Sequence, residues 1–318
     1  MVGILNNKMN IINDYIYKMK RDGKSDDEII NFALKNFRAN ITGRDINDII
    51  KSSKEFDNEF KRDAIVKKEK ILLFDIETAP NLGWVWGKWE QNVIDYEKEM
   101  YILCYAAKWF EDGKTFVRAL PDFKEYKKDK ENDLFLVQEL WALIDEADIV
   151  IGQNSDAFDI KKVNSRFLYH GLTPPSTYAT IDTVKLARKY FSFNSNKLDD
   201  LGKHLGLGEK VETGGFKLWK GCMDGDKKSW DLMKKYNKTD VDLLEKIYLK
   251  FRPWHKNGPN IGMFREGLVC PKCGSNNLQS RGVSVNKTTK YRRLQCQNCG
   301  GWSRTTKNIG DNKPIISV

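Results

Sequence analysis

Four of the six cysteines stand as two close pairs, Cys270-Pro-Lys-Cys273 and Cys296-Gln-Asn-Cys299, with 22 residues between them. No other feature restricts the fold of its segment as strongly. Two such turns at this spacing place four thiolates around one tetrahedral Zn²⁺. Iron in a rubredoxin-like site is the alternative. A disulfide framework needs an oxidising compartment. The opening residues, Met1-Val2-Gly3-Ile4-Leu5-Asn6-Asn7-Lys8, carry no signal-peptide core, so the cytoplasm is the expected compartment. Gly274 and Gly300 follow the second cysteine of each pair and let backbone amides turn towards the sulfurs. So small a module buries too little surface to fold alone, and its metal would supply folding free energy.

The segment resembles a zinc ribbon, two metal-bound knuckles joined by short strands. Its charge gives it a partner class. Residues 251–318 hold twelve Lys/Arg and two Asp/Glu, an excess equal to the whole chain's +10. Residues 1–250 are left with 42 basic groups (54 less 12) and 42 acidic ones (44 less 2). A localised excess points to a polyanion-binding module. Arg281, Lys290, Arg292 and Arg293 lie between or beside the knuckles, with Tyr291 and Trp302 interleaved. Such a mixture suits phosphate neutralisation and base stacking. A ribbon that braces the rest of the chain, or binds protein, is the alternative. No apolar run approaches the ~18 residues of a membrane span, which excludes an integral membrane protein.

The remainder divides in two. Residues 1–66 read as a helical accessory domain. Ser25 and Glu28 have capping-box spacing, and Ile29, Ile30, Ala33, Leu34 and Phe37 follow a helical period. A second helix carries Ile46, Ile49 and Ile50, so a helix-turn-helix is the sharper reading of the pair. The basic run 61–70 reads as a linker. Residues 67–255 form the second domain, and residues 265–308 the ribbon. Strands are expected over 71–77, 101–110 and 115–120, with Asp112-Gly113 as a hairpin turn between the last two. A helix over 132–146 leads into a short strand over 149–152, and helices follow over 158–170, 183–190, 197–205 and 229–250. The expected fold is α/β, a mixed sheet flanked by helices. Cys104 is expected in the core and Cys222 in a loop. Trp84, Trp86 and Trp89 read as core or partner-contact residues before base-stacking ones.

Three groups of carboxylates carry the chemistry. Asp75 and Glu77 lie two apart on an otherwise apolar strand and share one sheet face. Two buried acids on one face are costly without a cation between them. Asp159 opens the helix after the 149–152 strand, where the helix dipole also favours its charge. Tyr236 and Asp240 are four apart on the last long helix and share a face. Each has a plain structural reading alone: a solvated strand end, an N-terminal acid, an aspartate paired to a lysine. Together, on a strand, a strand-to-helix turn and a helix, they fit one metal-binding site.

In that order, Phe74-Asp75-Ile76-Glu77-Thr78, Asn154…Phe158-Asp159 and Tyr236-x-x-x-Asp240 resemble the three motifs of the DnaQ-like (DEDD) 3′–5′ exonucleases of the ribonuclease H-like superfamily. Tyrosine in the third motif is similar to the DEDDy branch, which includes the proofreading domains of family-B DNA polymerases. The wording from Asp75 to Trp86 and at Asp199-Asp200-Leu201 resembles stand-alone exonuclease-like proteins of bacteriophages, for which the compartment would be a bacterial host's cytoplasm. The resemblance covers residues 71–249. It implies phosphodiester hydrolysis with two Mg²⁺ or Mn²⁺, one generating the nucleophile and one steadying the leaving oxygen. It also implies that Asp75 bridges both ions, Glu77 and Asp240 complete one, and Asp159 holds the other through water. Tyr236 would orient the attacking water, because a phenol with a pKa near ~10 is a poor base. Thr78 would lie beside the terminal nucleotide.

Asn154 supports either the site or a strand-end turn. Asp182 reads as a helix cap before a supporting acid. DNA is favoured over RNA as substrate, and a replication or recombination protein is a candidate partner. A catalytically silent nucleic-acid-binding or recruitment module and an RNA-directed exonuclease are the alternatives.

Overall fold

The computed structural model describes residues 12, 13, 15, 16, 18–20, 23–37, 39, 41–60, 68–89, 92–110, 113–310, 315 and 316, with the side chains of 52–60 left out. Two compact units divide the chain, Met1–Val66 and Lys67–Val318.

In the first unit, helix α1 spans Asp26–Phe37 and helix α2 spans Gly43–Phe60. Both begin with reciprocal caps. The Ser25 N–H donates to Glu28 at 2.8 Å while the Glu28 N–H donates to Ser25 Oγ at 3.2 Å. Thr42 and Asp45 repeat the arrangement at 2.7 and 3.3 Å. Each exchange satisfies two amides that a helix start otherwise leaves unpaired. Ile29, Ala33, Phe37 and Ile46 are buried with Ile12, Tyr15 and Ile16. The linker expected over 61–70 lies mostly outside the described residues.

The second unit is built on a five-stranded sheet of order β5-β4-β1-β6-β7. Its strands are β1 (Ile71–Thr78), β4 (Ile102–Trp109), β5 (Phe116–Ala119), β6 (Ile149–Gly152) and β7 (Ala179–Asp182). β1 runs antiparallel to β4 and parallel to β6, so the sheet is mixed. Residue 112 of the expected hairpin turn lies outside the described residues, but β4 and β5 pair antiparallel across it. Helices α3 (Leu134–Glu146), α4 (Asp159–Tyr169), α5 (Thr183–Tyr190) and α6 (Leu198–His204) follow the strands as expected, within a residue or two. α7 (Phe216–Asp224) precedes the long α8 (Lys227–Phe251).

α8 starts where Asp226 accepts the Ser229 N–H at 2.8 Å. Trp230, Met233, Asn237, Asp240, Leu244 and Phe251 recur at helical spacing and are buried. Val241, Leu244, Ile247 and Tyr248 pack with Leu73, Ala106, Ile151 and Ile181 of the sheet. Truncating one of the buried aliphatic side chains here to alanine costs about 2–5 kcal/mol. This contact seats the third group of site residues over the first.

Two expectations need correction and a third is narrowed. Cys222 is not in a loop: it is buried on α7, which Gly215 and Gly225, both at positive φ, bracket. β7 stands where no strand was expected, because a four-residue strand with little apolar sequence leaves a weak period. Of the two readings of Trp84, Trp86 and Trp89, core or partner contact, exposures of 64, 88 and 75% remove the first and leave the second. They sit on or beside β2 (Leu82–Trp84), which with β3 (Asp95–Lys98) forms a separate two-stranded sheet. No strand of the main sheet covers them.

The ribbon has three strands, β8 (Leu278–Val285), β9 (Lys290–Cys296) and β10 (Trp302–Arg304), in order β10-β9-β8. It is joined to the rest of its unit by polar contacts. The Arg265 guanidinium grips both oxygens of Glu69 at 2.9 and 2.5 Å, and Lys272 Nζ donates to the Pro253 carbonyl.

Candidate active site

The site forms where β1 outruns one neighbour. Parallel pairing with β6 involves Ile71, Leu72 and Leu73 only, whereas pairing with β4 continues to Thr78. Asp75 and Glu77 follow the last residue paired to β6, on a strand whose first four residues are buried.

α8 brings the third acid. Asp75, Glu77 and Asp240 each offer a carboxylate oxygen within 4.8 Å of the others. Asn237, one turn before Asp240, is fully buried and donates from Nδ2 to Asp75 Oδ2 at 2.6 Å. Its own Oδ1 accepts from Cys104 Sγ at 3.7 Å. Lys210 Nζ reaches in from the segment between α6 and α7, donating to Asp240 Oδ2 and, at 3.2 Å, to the Tyr236 hydroxyl. The Lys210 N–H is fixed by Asp199 Oδ1 at 2.8 Å. Asp240 Oδ1 is buried and has no hydrogen-bond partner. Trp219 packs edge-on against Tyr236, ring centres 6.1 Å apart.

Asp159 stands beside this cluster rather than in it. It opens α4, is buried, and its Oδ1 accepts the Ile76 N–H at 3.2 Å. Asn154, at φ 59°, shapes the turn before it. The Asn154 N–H donates to Asp182 Oδ1 at 3.0 Å. Asp182 also caps α5, accepting from the Val184 and Lys185 amides. It is therefore the helix cap its position suggests, and it also holds the turn before Asp159.

Burial governs the electrostatics, and the acids reinforce it. Burial, then Asp159, Glu77 and Asp240, holds the Asp75 carboxyl well above the usual carboxylate range. Burial and Asp240 push Glu77 up to about 8, with Lys210 opposing. Burial lifts Asp159 to about 6 against the Ile76 hydrogen bond. Burial also raises Asp240, which Lys210 and Tyr236 partly offset. Burial, Asp240 and Glu77 keep the Tyr236 phenol above its ordinary value, and hence protonated near neutrality. Excess negative charge and an unpartnered Asp240 oxygen make this donor set fit a hard divalent cation with oxygen ligands.

A groove of about 380 Å³ opens beside Glu77 and Thr78, lined also by Phe158, Lys162, Phe216 and Trp219. Phe158 and Phe216 are exposed. Thr78 thus lies at the mouth of the acid cluster, and the Asn154 backbone shapes the turn that leads to Asp159.

The cysteines converge as their spacing predicts. All four sulfurs lie within 4.8 Å of one another, with Cys270–Cys299 at 3.7 Å and Cys273–Cys296 at 3.6 Å. A tetrahedron with metal–sulfur distances of ~2.3 Å has edges of about 3.8 Å, so the four thiols fit one Zn²⁺. Gly274 and Gly300 take φ of 69° and 76°, and the Gly301 N–H faces Cys299 Sγ at 3.4 Å. The ribbon cations do not share one face. Strand alternation puts Lys290 and Arg292 on one side of β9, and Tyr291 and Arg293 on the other. β10 pairs Arg304 opposite Arg293 and Trp302 opposite Gln295. Arg293 lies over Trp302 at 5.0 Å and Arg304 over Tyr291 at 3.8 Å, so the basic-aromatic face is built from these four. Arg293 Nε also donates to the Arg281 carbonyl at 2.9 Å.

The central strand, its antiparallel and parallel neighbours and the acids from β1, α4 and α8 define a ribonuclease H-like domain. The family model of the RNase_H superfamily matches residues 90–252, just over half of the chain, and the chain belongs to that superfamily. Membership points to a nuclease that uses divalent metal. Among curated proteins, none matches the chain.

Sequence reasoning missed Asn237 and Lys210. Asn237 carried a signal, since it is three residues before Asp240 and shares its face. Lys210 carried none, because only the folded chain brings that segment to α8. No described helix is long and apolar enough to cross a membrane.

Proposed function

We propose that this protein is a two-metal-dependent 3′–5′ exonuclease of the DEDDy type that shortens DNA and releases nucleoside monophosphates. The convergence of Asp75, Glu77 and Asp240 beside Tyr236, at the mouth of an open groove, carries the reading. Asp75, Glu77 and Asp240 would hold Mg²⁺ or Mn²⁺, and Asp159 would support a second ion. Bound there, the metals would supply Lewis acidity and a nucleophile at neutral pH. Tyr236, held protonated, would position water through its hydroxyl. Lys210 would give Tyr236 its orientation and place positive charge beside a scissile phosphate. Phe158, Phe216 and Trp219 would flank the terminal bases, with Thr78 beside the last sugar. The ribbon's Arg281, Lys290, Arg292 and Arg293 would hold further phosphates, with one structural Zn²⁺ keeping the ribbon folded.

One observation favours a second reading, a nuclease-derived module that binds nucleic acid without cutting it. Lys210 already satisfies one oxygen of Asp240. The free Asp240 Oδ1 favours the enzyme. Digestion of parallel 5′-labelled DNA and RNA strands with Mn²⁺ tests the choice. A ladder of 5′-labelled DNA shortening one nucleotide at a time supports the proposal. Internal cuts, loss from the 5′ end or a preference for RNA would contradict it. An intact substrate that is still bound would favour the silent module.

A further inference from the structure

A second cleft lies away from the acids, where the end of α8 meets the ribbon. It holds about 260 Å³ and is lined by Arg252, His255, Lys256, Lys272, Trp302 and Arg304 over a floor that includes Ile181, Tyr248 and Ile261. No Asp or Glu lines it. Lys272 sits between two of the clustered cysteines, and its Nζ is taken up by the Pro253 carbonyl. Arg252, Lys256 and Arg304 are left as three cations without a carboxylate among the lining residues. The buried Arg252 Nε–H has no acceptor, which leaves a donor of a charged group unsatisfied. Burial and the neighbouring Lys272 and Lys189 hold the His255 imidazole below its ordinary pKa, as expected in a site poor in anions. Trp302 offers an exposed aromatic surface at the rim and is continuous with the basic-aromatic face of the ribbon.

We infer that this cleft binds a backbone phosphate of a nucleic-acid strand, with Trp302 stacking on an adjacent unpaired base. The inference deepens the proposed function and rests on it for the identity of the strand. The cleft is smaller than the ~300–1,000 Å³ pockets that enclose whole small ligands, so it suits one segment of a passing strand rather than a free nucleotide. Arg252 follows α8 twelve residues after Asp240, about 18 Å along the helix axis. The cleft is therefore a separate anchor, several nucleotides from the acids.

The test is binding of fluorescein-labelled oligo-dT across a salt series, with no divalent cation added and no chelator to strip the ribbon. Lys256→Gln with Arg304→Gln should weaken binding about 5-fold near 0.1 M salt and lower the salt slope by about 0.7, the value of one phosphate contact. Arg304 stacks on Tyr291, so Lys256→Glu alone is the second variant: Lys256 is exposed, and its change leaves the fold intact. It should lower affinity at least about 5-fold. Lys250→Gln, an exposed cation on α8 outside the cleft, is the control and should change neither quantity. Unchanged affinity and slope in both cleft variants would overturn the inference, as would an equal loss in the control. Cleavage of the same strand with Mn²⁺, followed separately, keeps the two claims apart. Altered binding without cleavage would sink the nuclease reading alone, and cleavage with unaltered binding would sink this one alone.

Discussion

The Asn237 amide donates to Asp75 Oδ2 at 2.6 Å from a fully buried position on α8. The contact locks the long helix to the central strand and fixes the carboxylate without neutralising it. An amide supplies orientation where a lysine would supply charge, and this leaves Asp75 able to serve a cation.

Asn237→Ala would leave Asp75 Oδ2 and the Cys104 thiol unpaired in the core. We expect a loss of about 1–3 kcal/mol, the cost of an unsatisfied buried polar group. Urea unfolding of the two proteins measures it. Asn237→Asp should lose more at neutral pH than at pH 5, because a fifth acid would then sit against Asp75.

The acid cluster makes the metal-free protein sensitive to pH. Glu77 titrates at about 8 in the folded chain against 4.5 as a free side chain. The folded state therefore holds a proton that the unfolded state releases, and stability falls as pH rises from about 4.5 to about 8. Melting temperature without added divalent cation should drop across that window. Glu77→Gln should flatten the decline, and Mn²⁺ should restore stability most at the alkaline end, where protons no longer compete. A melting temperature that rose over this range would contradict the burial of these acids.

Lys210 opposes that repulsion by holding Asp240 and Tyr236. Lys210→Met should destabilise the metal-free protein by about 1–3 kcal/mol, and added Mn²⁺ should recover part of the loss. Differential scanning fluorimetry with and without the ion reads both. A variant as stable as the parent would mean that the ammonium is dispensable to the fold.

The cysteine site predicts one zinc per chain. Releasing it with a thiol-modifying mercurial should collapse the ribbon, seen as a tryptophan fluorescence change that Trp302→Phe lacks, while the far-ultraviolet helical signal of the other elements persists. Elemental analysis and a chromogenic zinc indicator give the stoichiometry. Iron in place of zinc would show as visible absorbance.

What could be read from the sequence was whatever local spacing encodes. The paired cysteines, the Ser25–Glu28 cap, the apolar run of β1 and the alternating faces of α8 all announce themselves within a few residues. Asp75 and Glu77 were recognisable as a pair, and Tyr236 and Asp240 as a helix face. Lys210 was not, since its approach to Asp240 depends on the path between α6 and α7. Nor was the exposure of Trp84, Trp86 and Trp89, because apolar residues on or beside a separate two-stranded sheet carry the same composition as buried ones. The ribbon cations misled in a subtler way: neighbours in sequence such as Arg292 and Arg293 fall on opposite faces of β9.

The most direct test compares the parent chain with Asp75→Asn and Asp240→Asn on a 5′-labelled DNA strand, measuring cleavage with Mg²⁺ or Mn²⁺ and binding without them. Both variants should lose cleavage by roughly 10³-fold or more, the effect of several kcal/mol of lost metal stabilisation, and keep their affinity for the strand. Cleavage that survives in either variant would show that these carboxylates are not the catalytic site.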